Sequence, residues 1–180
     1  KNSCVNFADA LSNTLVNINI LYPYGNYIND TLMTNYAALI AEQRNYKEDP
    51  TFLFFNSGNY PSLSRELLFL SEYKSFERCR AGEPIMRDVL LPDLQVFTAR
   101  SSKNSTKGPF VAAKGGHNAE MHNHNDVGSF IAYSNTEPLL IDIGFATYNA
   151  KTFSNRRYEL TNCRSAFHNV PLINGIEQIK

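Results

Sequence analysis

Near residue 85 the spacing of apolar residues changes, and that change limits what the chain can become. Upstream, Leu32, Met33, Tyr36, Ala37, Ile40 and Ala41 recur at helical intervals after the capping stretch Asn29-Asp30-Thr31 and before the polar run ending at Pro50. A second helix is predicted from Pro61-Ser62, with Leu63, Leu67, Leu68 and Leu70 as its apolar stripe. Two helices cannot close a core alone, so the first half is expected to lean on other material, either the second half or sequence outside this chain. Downstream, short β-rich runs alternate with turn signals: Leu90–Thr98, Phe110–Ala113, Gly128–Ser134, Pro138–Phe145 and Val170–Ile173. Ser134-Asn135-Thr136-Glu137-Pro138 reads as a hairpin connection. The expectation is an α+β chain: a helical domain over 1–85, a boundary at Gly82–Pro84, and an antiparallel β-sandwich over 86–180.

Composition supports a folded core, with 43% apolar residues in 180. No apolar run is long enough to span a bilayer, and the opening KNSCVNFADA lacks the basic-then-apolar order of a signal peptide. A formal net charge of zero speaks against an obligate nucleic-acid binder. The second half nevertheless carries a slight basic excess, including Lys114, Lys151, Arg156, Arg157 and Arg164. That excess is either solvated surface or an attraction for an anionic ligand. The three cysteines, Cys4, Cys79 and Cys163, have no metal-site or disulfide spacing and are expected to be buried free thiols.

Three of the four histidines fall within residues 116–126, GHNAEMHNHND. On an extended segment His122 and His124 would share a face. They make only part of a metal site, which needs three or four ligands. Asp142, inside the apolar run Pro138-Leu-Leu-Ile-Asp-Ile-Gly, is a costly carboxylate unless it meets a cation or several donors. His168 stands before another apolar run. His124, Asp142 and His168 on adjacent strands would suit Zn²⁺; the alternative is three ordinary hydrogen-bonded polar residues. A cupin reading fits Gly116, His122 and His124 but lacks the glutamate that should follow, since Gly128 and Ser129 stand there. The scattered residues of an HNH nuclease do not match HNHND.

The ordered motifs Lys114-Gly-Gly-His-Asn-Ala-Glu-Met-His-Asn-His-Asn-Asp, Pro138-Leu-Leu-Ile-Asp-Ile-Gly, Thr147-Tyr-Asn-Ala-Lys-Thr-Phe, Arg157-Tyr-Glu and His168-Asn-Val-Pro-Leu-Ile-Asn-Gly resemble the heparinase II/III-like polysaccharide lyases. The resemblance covers about residues 86–180; Val5-Asn-Phe-Ala-Asp-Ala looks like the tail of that family's helical domain. It implies the end of an (α/α) toroid followed by the β-sandwich, with substrate lying between them. It implies zinc on His124, Asp142 and His168, a substrate-facing histidine at His122, and an active-site tyrosine at Tyr148 or Tyr158. Arg156 or Arg157 could fork onto a carboxylate or sulfate of the substrate, the alternative being a surface salt bridge, and Asn123 is a further candidate for substrate binding.

The implied activity is β-elimination on an anionic uronate polysaccharide, carried out in the periplasm or outside the cell. The family's further acid–base residues, carried on the toroid, are expected upstream of Lys1, so this chain alone is expected to be inactive. The competing reading is a non-catalytic carbohydrate-binding module with structural zinc.

Overall fold

The computed structural model describes residues 4–12, 16–46 and 62–179, and its contacts divide the chain into two units. One comprises Leu15–Pro84; the other comprises Lys1–Thr14 and Ile85–Lys180.

In the helical unit, α1 spans Ile18–Tyr27, α2 Thr31–Gln43 and α3 Leu63–Phe76. The expected cap of α2 forms: the Asp30 carboxylate accepts from the backbone N–H of Leu32 and Met33. For α3, Ser62 occupies the cap position without a side-chain hydrogen bond, and Pro61 lies outside the described residues. The helix α1 was not foreseen, because it contains Pro23 and Gly25, both of which ordinarily interrupt helices. Tertiary packing overrides them. Ile18, Tyr22, Ala37, Ile40, Ala41, Phe69 and Phe76 form a common core, and the Tyr22 and Phe76 rings meet edge-on with centroids 5.1 Å apart. The stripe read for α3 is not its buried face: Leu63, Leu67, Leu68 and Leu70 are exposed, and Phe69 and Phe76 are buried instead.

The other unit holds one antiparallel five-stranded meander in the order β1 to β5: Asp88–Leu91, Val96–Arg100, Pro109–Lys114, Phe130–Ser134 and Glu137–Leu140. The run Leu90–Thr98 is two strands rather than one. Pro92, which has no N–H for the ladder, opens a single 3₁₀ turn over Pro92–Leu94, and Gln95 adopts a left-handed φ of 48° to reverse the chain. The expected hairpin is present between β4 and β5. Asn135 and Thr136 form its two-residue turn with φ of 51° and 71°, the sign that matches strand twist. Phe7, Ala112 and Ile131, flanked by Val5, Val96, Phe110 and Tyr133, make the core of this unit.

Residues 4–12, read from sequence as the tail of the helical domain, therefore pack with the sheet. Beyond Leu140 the chain leaves the sheet. Ile141–Phe145 is not strand, and of Val170–Ile173 only Ile173 pairs, in an isolated bridge to Ile176. Three 3₁₀ turns, Arg157–Glu159, Thr161–Cys163 and Ser165–Phe167, take their place. Their backbone groups bond mostly within the turns, as in Leu160 N–H to Arg157 O at 3.0 Å, and two further bonds tie them to the histidine loop: Asn125 N–H donates to Cys163 O at 3.0 Å, and Ser165 Oγ donates to Asn125 O at 2.7 Å. Of the cysteines, Cys163 is buried but Cys4 is exposed and Cys79 half-buried; all are free. Among the described residues no helix is long and apolar enough to cross a membrane.

Candidate active site

The loop after β3 carries the site, and salt bridges and hydrogen bonds hold its polar backbone in place. The buried ammonium of Lys114, the last residue of β3, meets Asp126 Oδ1 at 2.9 Å and Glu120 Oε2 at 3.2 Å. Burial would lower the Lys114 pKa, but the two carboxylates outweigh it and hold the group above its ordinary value. Midway, Arg157 donates through Nε and Nη2 to Asn123 O, at 2.9 and 2.6 Å, and through Nη1 to Thr152 O at 2.9 Å. Gln178 donates to Val127 O and accepts from Val127 N–H.

The histidine pair does not share one face. His122 has a left-handed φ of 58°, so the segment is not extended: His122 is exposed and His124 is completely buried. One carboxylate joins them. Asp9 Oδ2 lies 3.1 Å from His122 Nδ1, and Asp9 Oδ1 lies 2.9 Å from His124 Nε2. Tyr148 donates its hydroxyl to Asp9 Oδ2 at 2.9 Å and stands 3.2 Å from His122 Nδ1. Burial pushes the Asp9 pKa up, but hydrogen bonds from Tyr148, His122 and His124 win and hold it below the usual carboxylate range. Burial and that same carboxylate push the Tyr148 hydroxyl up, so it is a protonated donor at neutral pH. Phe153 packs edge-on against both rings, 5.2 Å from His122 and 5.0 Å from Tyr148.

Behind this exposed cluster lie His124, Asp142 and His168. None is on a strand: His124 is in the loop, Asp142 follows β5, and His168 follows the last 3₁₀ turn. They are nonetheless neighbours. The His124 and His168 rings are 5.2 Å apart, and His168 Nδ1 contacts Asp142 Oδ2 at 2.8 Å. Ser129 Oγ and Gly144 N–H also donate to Asp142. Burial would raise the pKa of Asp142, but His168, Gly144 and Ser129 depress it; burial would lower that of His168, but Asp142 raises it. His168 faces an acceptor on each nitrogen, Asp142 and Asn162 O, which calls for the doubly protonated ring. For His124 burial and the charge of His168 lower the pKa, so its ring is neutral.

A metal was expected at these three residues. One observation fits an ion: His124 Nδ1 is buried with no hydrogen-bond partner, which leaves a bare imidazole nitrogen on the ring whose centroid lies 5.2 Å from that of His168. Among the described residues, however, no three His, Cys, Asp or Glu side chains are already gathered to hold one. His168 would first have to release a proton and an acceptor.

The remaining candidates are distributed differently. Tyr158 is half-buried and donates to Asn123 Oδ1 at 3.2 Å. Asn123 is buried, with its amide nitrogen on Asn118 O and His124 O. Arg157 lies under the loop. Arg156 is exposed and forks onto Glu159 with two bonds of 2.9 Å; Arg156 and then Lys151 pull the Glu159 carboxyl down to about 2. His117 stays exposed and apart from the pair. Two contributors escaped sequence reading, Asp9 and Phe153. Phe153 follows Thr147-Tyr-Asn-Ala-Lys-Thr within a quoted motif and could have been suspected. Asp9 also lies within a quoted motif, Val5-Asn-Phe-Ala-Asp-Ala, but that motif points only to the tail of the helical domain.

Residues 106–180 match the family described as "Heparinase II/III-like, C-terminal". Among solved structures, a heparinase III with methylated lysines is similar, at 14% identity and a TM-score of 0.44, covering 87% of this chain. The chain spans 29% of that protein's length. No curated protein matches. The segment similar to that heparinase II/III-like family, residues 106–180, carries every candidate residue named from the sequence.

Proposed function

We propose that the protein is the sheet-bearing part of a polysaccharide lyase that cleaves uronate polymers by β-elimination. In this reading the meander is one layer of a β-sandwich and the three helices belong to a toroid. The observation that carries it is the exposed pair His122 and Tyr148, 3.2 Å apart, within a segment of heparinase II/III-like sequence. Elimination removes the proton on C5 of the uronate, breaks the bond from C4 to the glycosidic oxygen and forms a C4–C5 double bond. Charge builds on the carboxylate as the proton leaves. His122 takes the C5 proton, and Tyr148 delivers its hydroxyl proton to the departing oxygen. Tyr148 is preferred over Tyr158 because its hydroxyl adjoins His122, whereas that of Tyr158 is directed at Asn123. Arg156 supplies positive charge toward the anionic polymer, and the buried Arg157 together with Asn123 shapes the loop beneath it.

His124, Asp142 and His168 would hold a Zn²⁺, whose chemistry here is to tie the loops together and orient the segment bearing His122. A polymer substrate and the family resemblance together favour a periplasmic or extracellular location.

The test is turnover of heparan sulfate, alginate and hyaluronan by the full-length protein, followed as absorbance of the unsaturated product. His122→Ala should cut turnover by about 10²–10⁴-fold while melting temperature and metal content stay unchanged. Undiminished turnover in that variant overturns the catalytic assignment. Polymer binding with no turnover in the parent points to a carbohydrate-binding module instead.

A further inference from the structure

We propose that Asp9 is a positioning residue of this site, selecting the tautomer of His122 and holding Tyr148 beside it. The inference rests on the lyase reading for its catalytic consequence, but not for its geometry.

Asp9 is the hub of the cluster. Its side chain is 11% exposed, and its two oxygens face His122, His124 and Tyr148 at 3.1, 2.9 and 2.9 Å. Arg157 Nη2 at 3.7 Å supplies the balancing charge. Two of the non-glycine residues with left-handed backbone lie on either side of this carboxylate: Ala8 at φ 51° and His122 at φ 58°. For an alanine that region carries a steric penalty of about 1–2 kcal/mol, and such strain persists only where surrounding contacts hold it. The turn is closed by Ala10 N–H on Phe7 O at 3.0 Å, which aims Asp9 at the histidine loop.

The hydrogen-bond logic leaves one consistent arrangement. Tyr148 donates to Asp9, so the hydrogen between His122 Nδ1 and Asp9 belongs to the ring. Neutral His122 is then the Nδ1–H tautomer, with the lone pair on Nε2 directed away from the carboxylate. In the elimination that nitrogen receives the C5 proton, and the Asp9 charge stabilises the imidazolium that results. Without Asp9 the ring could place its proton on either nitrogen, and Tyr148 would lose its anchor.

The experiment uses the full-length protein and has two independent readouts. Nitrogen-15 shifts of the neutral His122 ring should report Nδ1–H in the wild type; an Nε2–H ring overturns the proposal, whether or not any variant folds. Asp9→Asn should lose that single-tautomer signature and lower kcat by about 10–100-fold, with KM within about threefold, and Asp9→Glu should recover part of the loss. An Asp9→Asn protein with the wild-type tautomer and wild-type kcat also overturns it. If the wild type cleaves no uronate polymer, the lyase reading fails, while the ring shifts still decide whether Asp9 governs His122.

Discussion

Arg157 holds the carbonyl oxygen of Asn123 with two donors, Nε at 2.9 Å and Nη2 at 2.6 Å, and so clamps the peptide between His122 and His124. A residue that reads in sequence as a fork for a substrate carboxylate is folded beneath the loop as its support. Arg157→Ala leaves that carbonyl buried without its donors and should cost about 1.5–3 kcal/mol in urea denaturation. Arg157→Lys keeps the charge but not the planar fork, and should recover less than half of that loss. A lysine variant of wild-type stability would show that charge alone suffices.

A side chain at Gly144 should be costly, chiefly because of its left-handed backbone. Its φ is +65°, and a Cβ there would sit 2.7 Å from Asn6 Nδ2, while its N–H donates to Asp142. Gly144→Ala is expected to lower stability by about 1–3 kcal/mol. A thermal melt checks this, and an unchanged melting temperature contradicts the close approach of residue 6.

The buried pair His168 and Asp142 gives metal-stripped protein a stability window in pH. Asp142 is depressed below its ordinary value of 3.8, so its contribution is present above that value and lost as pH falls through the folded pKa. His168 is raised above its ordinary 6.5, so its contribution is complete below 6.5 and lost as pH rises through the folded pKa. Stability from the pair is therefore greatest between roughly pH 4 and 6.5. Urea midpoints across pH measure it. His168→Gln should flatten the alkaline side, and removing one partner should cost about 3–5 kcal/mol at pH 5. A wild-type profile without that alkaline decline contradicts the doubly protonated ring.

Zinc uptake should run against the same proton. Because His168 must release one to become a ligand, binding should release protons and tighten as pH rises from 6 to 8. Mass spectrometry should find one zinc per chain. Excess zinc should stabilise the fold by about 2.7–4.1 kcal/mol at 100 to 1,000 times Kd, with the gain abolished in His124→Ala, Asp142→Ala and His168→Ala. No zinc by mass spectrometry, together with a melting temperature indifferent to chelator, removes the metal from the site.

The parts of the fold legible in the chain were those coded by near neighbours. The Asp30 cap of α2, β3 and β4, and the Asn135-Thr136 turn all follow from residues within a few positions of one another. Where a local rule was contradicted, a distant contact prevailed: α1 keeps Pro23 and Gly25 inside a helix because Tyr22 is buried against Phe76. Val170–Ile173 forms no strand, and only Ile173 pairs, with Ile176; on either side of it Ser165 and Gln178 bond across to the histidine loop, contacts that no local pattern announces. Leu67 and Leu70 looked like a core stripe, yet periodicity alone could not say that Phe69 and Phe76 would be the residues covered.

By itself the sequence determined the chemistry on hand: two histidines one residue apart, a carboxylate in an apolar run, tyrosines after it, and a family signature over its second half. Tertiary structure alone decided which groups meet. Asp9 reaches His122 across 113 positions, and Tyr148 rather than Tyr158 arrives beside it. The physical reason is that a carboxylate's role is set by the donors that surround it and by the water they exclude. Neither is encoded within a few residues of Asp9, and both appear only when the first segment packs against the loop after β3.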